Sequence, residues 1–140
     1  MDKMKKRYRQ ILQEALDKGI VSLPTVLDYD FEDIKDVYRA VKINDEKTEI
    51  DNSDFIPQAE IDLIRSRSDF DESNIENYGT SFFLDEEVLD IAVKLPRRNK
   101  KKAKGVIISE DGPTTKPDFK SHFMCFLYED TILVDRFEVI

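Results

Sequence analysis

The two side chains best suited to nucleophilic or acid–base chemistry, His122 and Cys125, lie three residues apart near the C-terminal end of the sequence. A catalytic cysteine needs an exposed, electropositive setting, and an assisting histidine must reach its sulfur. The surrounding residues favour a strand, and positions three apart on an ideal strand point to opposite faces. We therefore expect Cys125 to be a buried apolar residue and His122 a surface or strand-end residue, without a Cys–His dyad.

The sequence contains few residues that could form a metal site or a nucleotide-binding site. One cysteine and one histidine leave only carboxylates as ligands, and no loop has the aspartate spacing of a calcium site. The glycines at 79, 105 and 112 are isolated, so no glycine-rich phosphate loop is present. The sequence predicts no metal site and no cofactor.

Acidic side chains dominate the middle of the chain. Residues 45–90 hold fifteen acids against three bases, a formal charge of −12 within a total of −8. Four of these acids, Asp85, Glu86, Glu87 and Asp90, cluster where a helix is predicted to begin. Carboxylates at this place also favour the helix dipole, so a purely structural role is open. As candidate binding residues for a basic partner we take Glu86, Glu87 and Asp90.

A compact basic run follows directly. Residues 91–104 hold seven bases and no acid. The candidate binding residues here are Arg97, Arg98, Lys100, Lys101 and Lys102. Such clusters contact phosphates, but no aromatic residue interleaves this one and the net charge repels polyanions. We therefore do not expect direct nucleic-acid binding. A run of bases such as this one is more often a solvated, lysine-rich loop.

The elements that must position these residues can be partly assigned. Apolar residues from Met4 to Ala15 follow a helical spacing, which predicts a helix over residues 2–18 ended by Gly19. Residues 30–43 fit either one helix or a short turn followed by a strand over Tyr38–Ile43, and we favour the turn and strand. Residues 55–65 fit a strand or a short helix after Pro57.

The second half of the chain is clearer. The pattern predicts a strand at Tyr78–Phe83, a helix from Asp85 ended by Pro96, and a strand at Gly105–Ser109. Two strand-forming runs, His122–Glu129 and Thr131–Ile140, surround Glu129 and Asp130 and suggest a hairpin.

These elements predict an α+β fold: one domain over residues 1–140, with an N-terminal helix (1–19) and a core (37–140) containing an antiparallel or mixed sheet. Hydrophobic residues make up 40% of the chain and aromatic residues 10%, which suits a folded core. No apolar run approaches the roughly 20 residues of a membrane span, and the basic N-terminus lacks a signal-peptide core. We expect a cytoplasmic protein without a membrane partner.

From residue 37 onward, the order of elements resembles that of small bacterial ADP-ribosyltransferase-like domains. Val37-Tyr38-Arg39-Ala40 is similar to the early strand with an NAD-binding arginine, and Tyr78-Gly79-Thr80-Ser81-Phe82-Phe83 to the later strand with small hydroxyl residues. Glu138 is the candidate for the late glutamate. The resemblance implies NAD as cofactor and Arg39, Thr80, Ser81 and Glu138 as catalytic residues.

Two classes of function therefore stay open. The first is a small acidic accessory protein, of an immunity or host-interaction type from a bacterial mobile element or phage, which binds another protein that is basic or itself binds nucleic acid. The second is an NAD-using transferase or an inactive relative. The first is favoured because no constellation of residues in the sequence demands chemistry.

Overall fold

A computed structural model describes residues 6–140, which are built around a central antiparallel sheet. Its five strands are β1 (Ile34–Lys42), β2 (Thr80–Phe83), β3 (Lys100–Ile107), β4 (His122–Cys125) and β5 (Phe137–Val139). They lie in the order β4-β2-β1-β3-β5. The helices are α1 (Gln10–Asp17), α2 (Asp62–Arg65) and α3 (Glu86–Ala92), with 3-10 turns at Asn52–Phe55, Gln58–Glu60, Ile75–Tyr78, Ser109–Asp111 and Val134–Arg136. The predicted α+β class with an N-terminal helix and an antiparallel sheet is confirmed.

Residues 34–42 form the central strand, so the single-helix alternative for residues 30–43 is wrong. β1 is hydrogen-bonded to β2 on one side and to β3 on the other. Val37 and Val41 are buried while their neighbours alternate outward, as a strand period of two requires. The register with β3 shifts between Ile34 and Val37, where Asp36 has a left-handed φ of 59°. This bulge lets the strand begin earlier than the predicted Tyr38.

The N-terminal helix is shorter than the sequence predicts. Residues 2–5 of the predicted helix, including Met4, lie outside the described residues. Tyr8 forms an antiparallel bridge with Tyr128, and the amide of Arg9 donates to the carbonyl of Leu127 at 3.2 Å. These strand-like contacts hold the preceding residues extended, so α1 begins only at Gln10. Gly19, with φ of 72°, ends it as predicted.

Residues 55–65 form helical turns, and the strand alternative there is wrong. Phe55 and Ala59 are buried, whereas Leu63 is 76% exposed. Extended backbone at Ile56 and Pro57 separates the two turns, so Phe55 packs in the main apolar cluster and Ala59 in another. Ala59 packs with Leu12 of α1 in a second apolar cluster beside the sheet.

The last two strands form, but they do not pair as a hairpin. β4 pairs with β2 and β5 pairs with β3, at opposite edges of the sheet. A turn does exist, since the amide of Thr131 donates to the carbonyl of Tyr128. The flanking amides, however, bond to Asp111 and Arg7. Those partners, together with the burial of Leu133, lead the chain across the core to the far edge.

Strand β3 begins five residues earlier than predicted, so most of the basic run lies on a strand and not in a loop. Lys42 of β1 is in register with Lys100, and Ala40 with Lys102. Pairing along the full length of β1 extends β3 backward despite its lysines. The structure therefore places each of the four lysines of β3 on a definite side of the sheet.

The two faces of the sheet have different roles. The core face carries the buried side chains that form the main apolar cluster: Val37, Val41, Phe82, Ala103, Ile107, Phe123, Cys125 and Phe137. The outer face carries the alternate residues and is contacted by α3 through β1 and β2. Gly105 in β3 allows β5 to approach closely, because a Cβ there would lie 2.4 Å from the Arg136 carbonyl oxygen.

Candidate functional site

Arg39 is held by backbone groups at the border of the core. Its Nε donates to the carbonyl of Asp54 and its Nη1 to the carbonyl of Ser81, both at 2.7 Å. The guanidinium lies over the ring of Phe82 at 5.7 Å. Burial lowers the pKa of Arg39 to about 10, with the charge of Asp54 acting in the opposite direction. Arg39 therefore remains charged near neutral pH and connects β1 to β2 and to the 3-10 turn at Asn52–Phe55.

Thr80 is also buried and bonded to a backbone carbonyl. It is 1% exposed, and its hydroxyl donates to the carbonyl of Phe55 at 2.7 Å. The register Tyr38↔Phe83 places Thr80 and Arg39 on the core face. Ser81, one residue along, lies on the outer face.

Glu138 is exposed on the edge strand β5, in register with Lys104. Lys104 pairs with Tyr38, so this glutamate also belongs to the outer face. The resemblance requires the Arg39 strand and the Thr80 strand to be neighbours, and they are. Arg39 and Thr80 nevertheless lie on one face and Ser81 and Glu138 on the other, so the four do not converge on one pocket.

Cys125 and His122 lie as the strand pattern predicts. Cys125 is buried, its Sγ is 3.5 Å from the carbonyl oxygen of Gly112, and burial raises the pKa of the thiol. His122 lies on the other face, with its ring 5.2 Å from that of Phe83 and its Nδ1 3.8 Å from a carboxylate oxygen of Asp118. The two side chains do not form a catalytic pair.

The acidic cluster and the basic run meet at one lysine. Lys102 Nζ donates to Glu86 Oε2 at 2.5 Å and to Asp90 Oδ2 at 3.1 Å. These hydrogen bonds raise the pKa of Lys102. Lys104, two residues further along β3, pairs with Asp36 at 3.3 Å. Two of the three candidate acidic binding residues are thus already partnered within the protein.

The remaining acids of the cluster have different roles. Asp85 caps α3, because its carboxylate accepts from the amides of Glu87 and Val88. Glu87 is exposed and forms no ion pair among residues 6–140. It is therefore the free acidic side chain of the helix.

Exposed apolar side chains lie on α3 and on the segments bonded to each other at its start, and the sequence patterns did not identify them. Ile91 is 78% exposed and Leu84 37% exposed. Phe119 is 94% exposed, and its turn is joined to α3 because the amides of Leu84 and Asp85 donate to Ser121 at 3.1 and 3.0 Å. We call this surface the α3 face: Leu84, Asp85, Glu87, Ile91 and Phe119. The signal available in the sequence was the spacing of Leu84 and Ile91, seven positions apart.

The five other bases of the basic run form a separate feature together with Lys42, near the place where β1 ends and β3 begins. Its six side chains form no ion pair among the described residues. We call them the basic tip: Lys42, Lys94, Arg97, Arg98, Lys100 and Lys101. Arg97 and Lys100 form a bridge across a tight turn in which Asn99 has a left-handed φ of 67°. Burial lowers the pKa of Lys100, and the nearby charges of Arg97, Arg39 and Lys42 add to this effect.

Within residues 6–140, no three His, Cys, Asp or Glu side chains are grouped to hold a metal ion. Nor does this part of the chain contain a helix with the length and apolarity needed to cross a bilayer. No family model matches the chain, and no curated protein or solved structure is significantly similar to it. The chemistry of the described surfaces is therefore the basis for inferring function.

Proposed function

We propose that the protein acts by binding another protein through the α3 face, and that the partner surface is basic. The observation that carries this proposal is the exposure of Phe119 and Ile91, at 94% and 78%, on an acidic surface that includes Glu87. Large side chains at this exposure leave apolar area in water that an interface would bury, at about 1.5–3 kcal/mol for each side chain. Aromatic residues of this kind are frequent anchors of interfaces.

Charge complementarity favours a basic partner. Around the exposed apolar residues lie five carboxylates, Asp85, Glu86, Glu87, Asp90 and Asp118, against two lysines, Lys102 and Lys120. The formal charge of this surface is therefore −3, and Glu87 forms no ion pair within residues 6–140. Such a surface accelerates association with a positively charged partner and repels an acidic one.

Site-specific photo-crosslinking in the cells that produce the protein tests the proposal. A p-benzoylphenylalanine is placed at position 119 or 91, with position 63 as the control. Leu63 is matched to Ile91 in exposure, at 76%, but lies on α2. We expect one discrete crosslinked protein from positions 119 and 91, and not from 63. Three outcomes would contradict the proposal. They are the same crosslinked protein from all three positions, no crosslinked protein from any position, and crosslinking only to a second copy of the chain.

Charge reversal then tests the electrostatic part against the crosslinked partner. Glu87→Lys should slow association, by about tenfold or more at low salt, and flatten its salt dependence. Asp69→Lys is the control, since Asp69 is equally acidic and exposed but lies in another loop. Reversing Glu86 or Asp90 as well would break their contacts with Lys102, so the single change at Glu87 is the cleaner test. An unchanged association rate for Glu87→Lys would remove the α3 face as the steering surface.

A further inference from the structure

The basic tip is a local concentration of positive charge that has no ion-pair partner among residues 6–140, in an acidic protein. Five of its six side chains are exposed, and Lys100 is half-buried among them. The adjacent lysines of the same strand, Lys102 and Lys104, are both neutralised by carboxylates. The side chains of the tip are basic, as are Lys102 and Lys104. They differ in having no carboxylate partner in the described part of the chain.

Nearby carboxylates do not cancel this charge. Asp45 and Glu46 line a groove of about 490 Å³ together with Arg97, Arg98 and Lys101, and neither acid forms an ion pair in the described residues. Asp90 lines a cavity with Lys100 and Lys101 but is already bound by Lys102. Six bases against Asp45 and Glu46 leave a formal charge of +4, which falls to +3 when Asp90 is counted. Asp54, whose charge acts on Lys100, is buried and already bound by Lys47 at 2.6 Å.

The tip is also held in place. Arg97 and Arg98 lie in the tight turn that opens β3, and the amide of Ile43 donates to the carbonyl of Asn99 at 3.3 Å. This bond ties the turn to the end of β1. The guanidinium groups therefore extend from a fixed backbone, which lowers the ordering cost of an electrostatic contact.

We infer that the basic tip binds the phosphate backbone of a nucleic acid without reading its sequence. Arginine donates parallel hydrogen bonds that match phosphate oxygens, and clustered lysines release the counterions that phosphates hold. Lysines are depleted in the centres of protein–protein interfaces, which disfavours an acidic protein as the ligand. The tip has no aromatic side chain, so base stacking is not expected to contribute.

The net charge of −8 does not forbid this contact. A chain of this length has a radius of gyration of about 14 Å, whereas the Debye length at physiological salt is about 8 Å. Acids on distant surfaces are therefore screened, and the local charge of the tip governs the contact. This inference uses a different surface from the α3 face and does not depend on the proposed protein partner.

Fluorescence anisotropy with a labelled 20-base-pair DNA duplex of arbitrary sequence tests the inference. At 50 mM salt we expect a Kd of the order of 10 μM, with three or four phosphate contacts giving a slope of log K against log salt of about −3. Arg97→Gln combined with Arg98→Gln should weaken binding at least tenfold and reduce the slope to about −1. The tip is exposed, so the melting temperature should stay within a degree or two of the wild-type value.

The control pair is Lys35→Gln with Arg67→Gln, which removes the same charge from exposed positions elsewhere. It should leave the affinity within about twofold of wild type. Equal losses in both pairs would assign the effect to net charge and overturn the inference. So would an absence of binding at 50 mM salt, or polyglutamate competing as well as unlabelled duplex, which would make an acidic polypeptide the ligand.

Discussion

Arg39 shows how a side chain suited to phosphate binding is instead used to support the fold. Its two hydrogen bonds satisfy the carbonyls of Asp54 and Ser81. Among the described residues, Arg39 is held by these carbonyl groups and not by an ion pair with an acid. Arg39 alternates with Val37 and Val41 on the core side of the strand, so the guanidinium points toward carbonyl groups and not toward solvent.

We predict that NAD does not stabilise the protein. A ligand that binds only the folded state raises the melting temperature. The four residues of the transferase resemblance lie on two faces, and Arg39 and Thr80 are engaged with backbone carbonyls. Millimolar NAD should therefore shift the melting temperature by less than a degree, measured by scanning fluorimetry. Arg39→Ala should lower the free energy of unfolding by about 2 kcal/mol, because two buried carbonyls lose a charged donor.

A clear rise with NAD that disappears in Arg39→Ala would instead support the transferase alternative. Arg39→Lys separates the two explanations. A lysine keeps the charge but cannot donate to both carbonyls in the planar arrangement of a guanidinium. If the role is structural, the lysine variant should recover only part of the lost stability.

At the scale of elements, α1 is attached by both apolar and ionic contacts. Leu12 and Ala15 pack against Val21 and Ala59 in the second apolar cluster. Arg9, just before the helix, forms two hydrogen bonds of 2.6 Å with Glu60. The helix is therefore part of the folded domain and is not a separate arm for a partner.

We predict that Leu12→Asp lowers the free energy of unfolding by about 3–5 kcal/mol, since it removes buried apolar area and introduces an unpaired charge. Leu12 is only 2% exposed. Gln10→Asp is the control because Gln10 is exposed on the same helix, and it should change the free energy by less than about 0.5 kcal/mol. Urea denaturation measures both. A small effect for Leu12→Asp would show that α1 is peripheral.

At the scale of the whole molecule, several buried groups favour the neutral form. Burial raises the pKa of the Cys125 thiol and of the Tyr8, Tyr78 and Tyr128 phenols. In the unfolded chain these groups ionise near their ordinary values of about 8.5 for cysteine and 10 for tyrosine. The folded state holds their protons to higher pH.

We predict that stability falls as the pH rises above about 8.5. Below that pH both states hold these protons, so the stabilisation is fully present. Above it the unfolded state releases protons that the folded state keeps, and each such group costs up to about 1.4 kcal/mol per pH unit. Urea denaturation at pH 7, 8, 9 and 10 measures the decline. Cys125→Ala should make the curve flatter between pH 8.5 and 10, and an unchanged slope would contradict a buried, protonated thiol.

Some features were determined by the local sequence. Gly19 ends α1, Asp85 caps α3, and the residues Thr80–Phe83 form a strand, because caps and alternating apolar residues act over a few positions. The buried state of Cys125 followed from the same alternation. The α+β class could be predicted because it depends on the number and type of such elements.

Only the tertiary structure decided which elements and side chains meet. β4 and β5 are neighbours in sequence but lie at opposite edges, since their partners β2 and β3 and the burial of Leu133 outweigh the local turn. The same pairing placed Lys102 beside Glu86 and Asp90, while the basic tip has no carboxylate partner in the described part of the chain. Charge runs in sequence do not reveal this, because neutralisation depends on contacts between residues far apart along the chain.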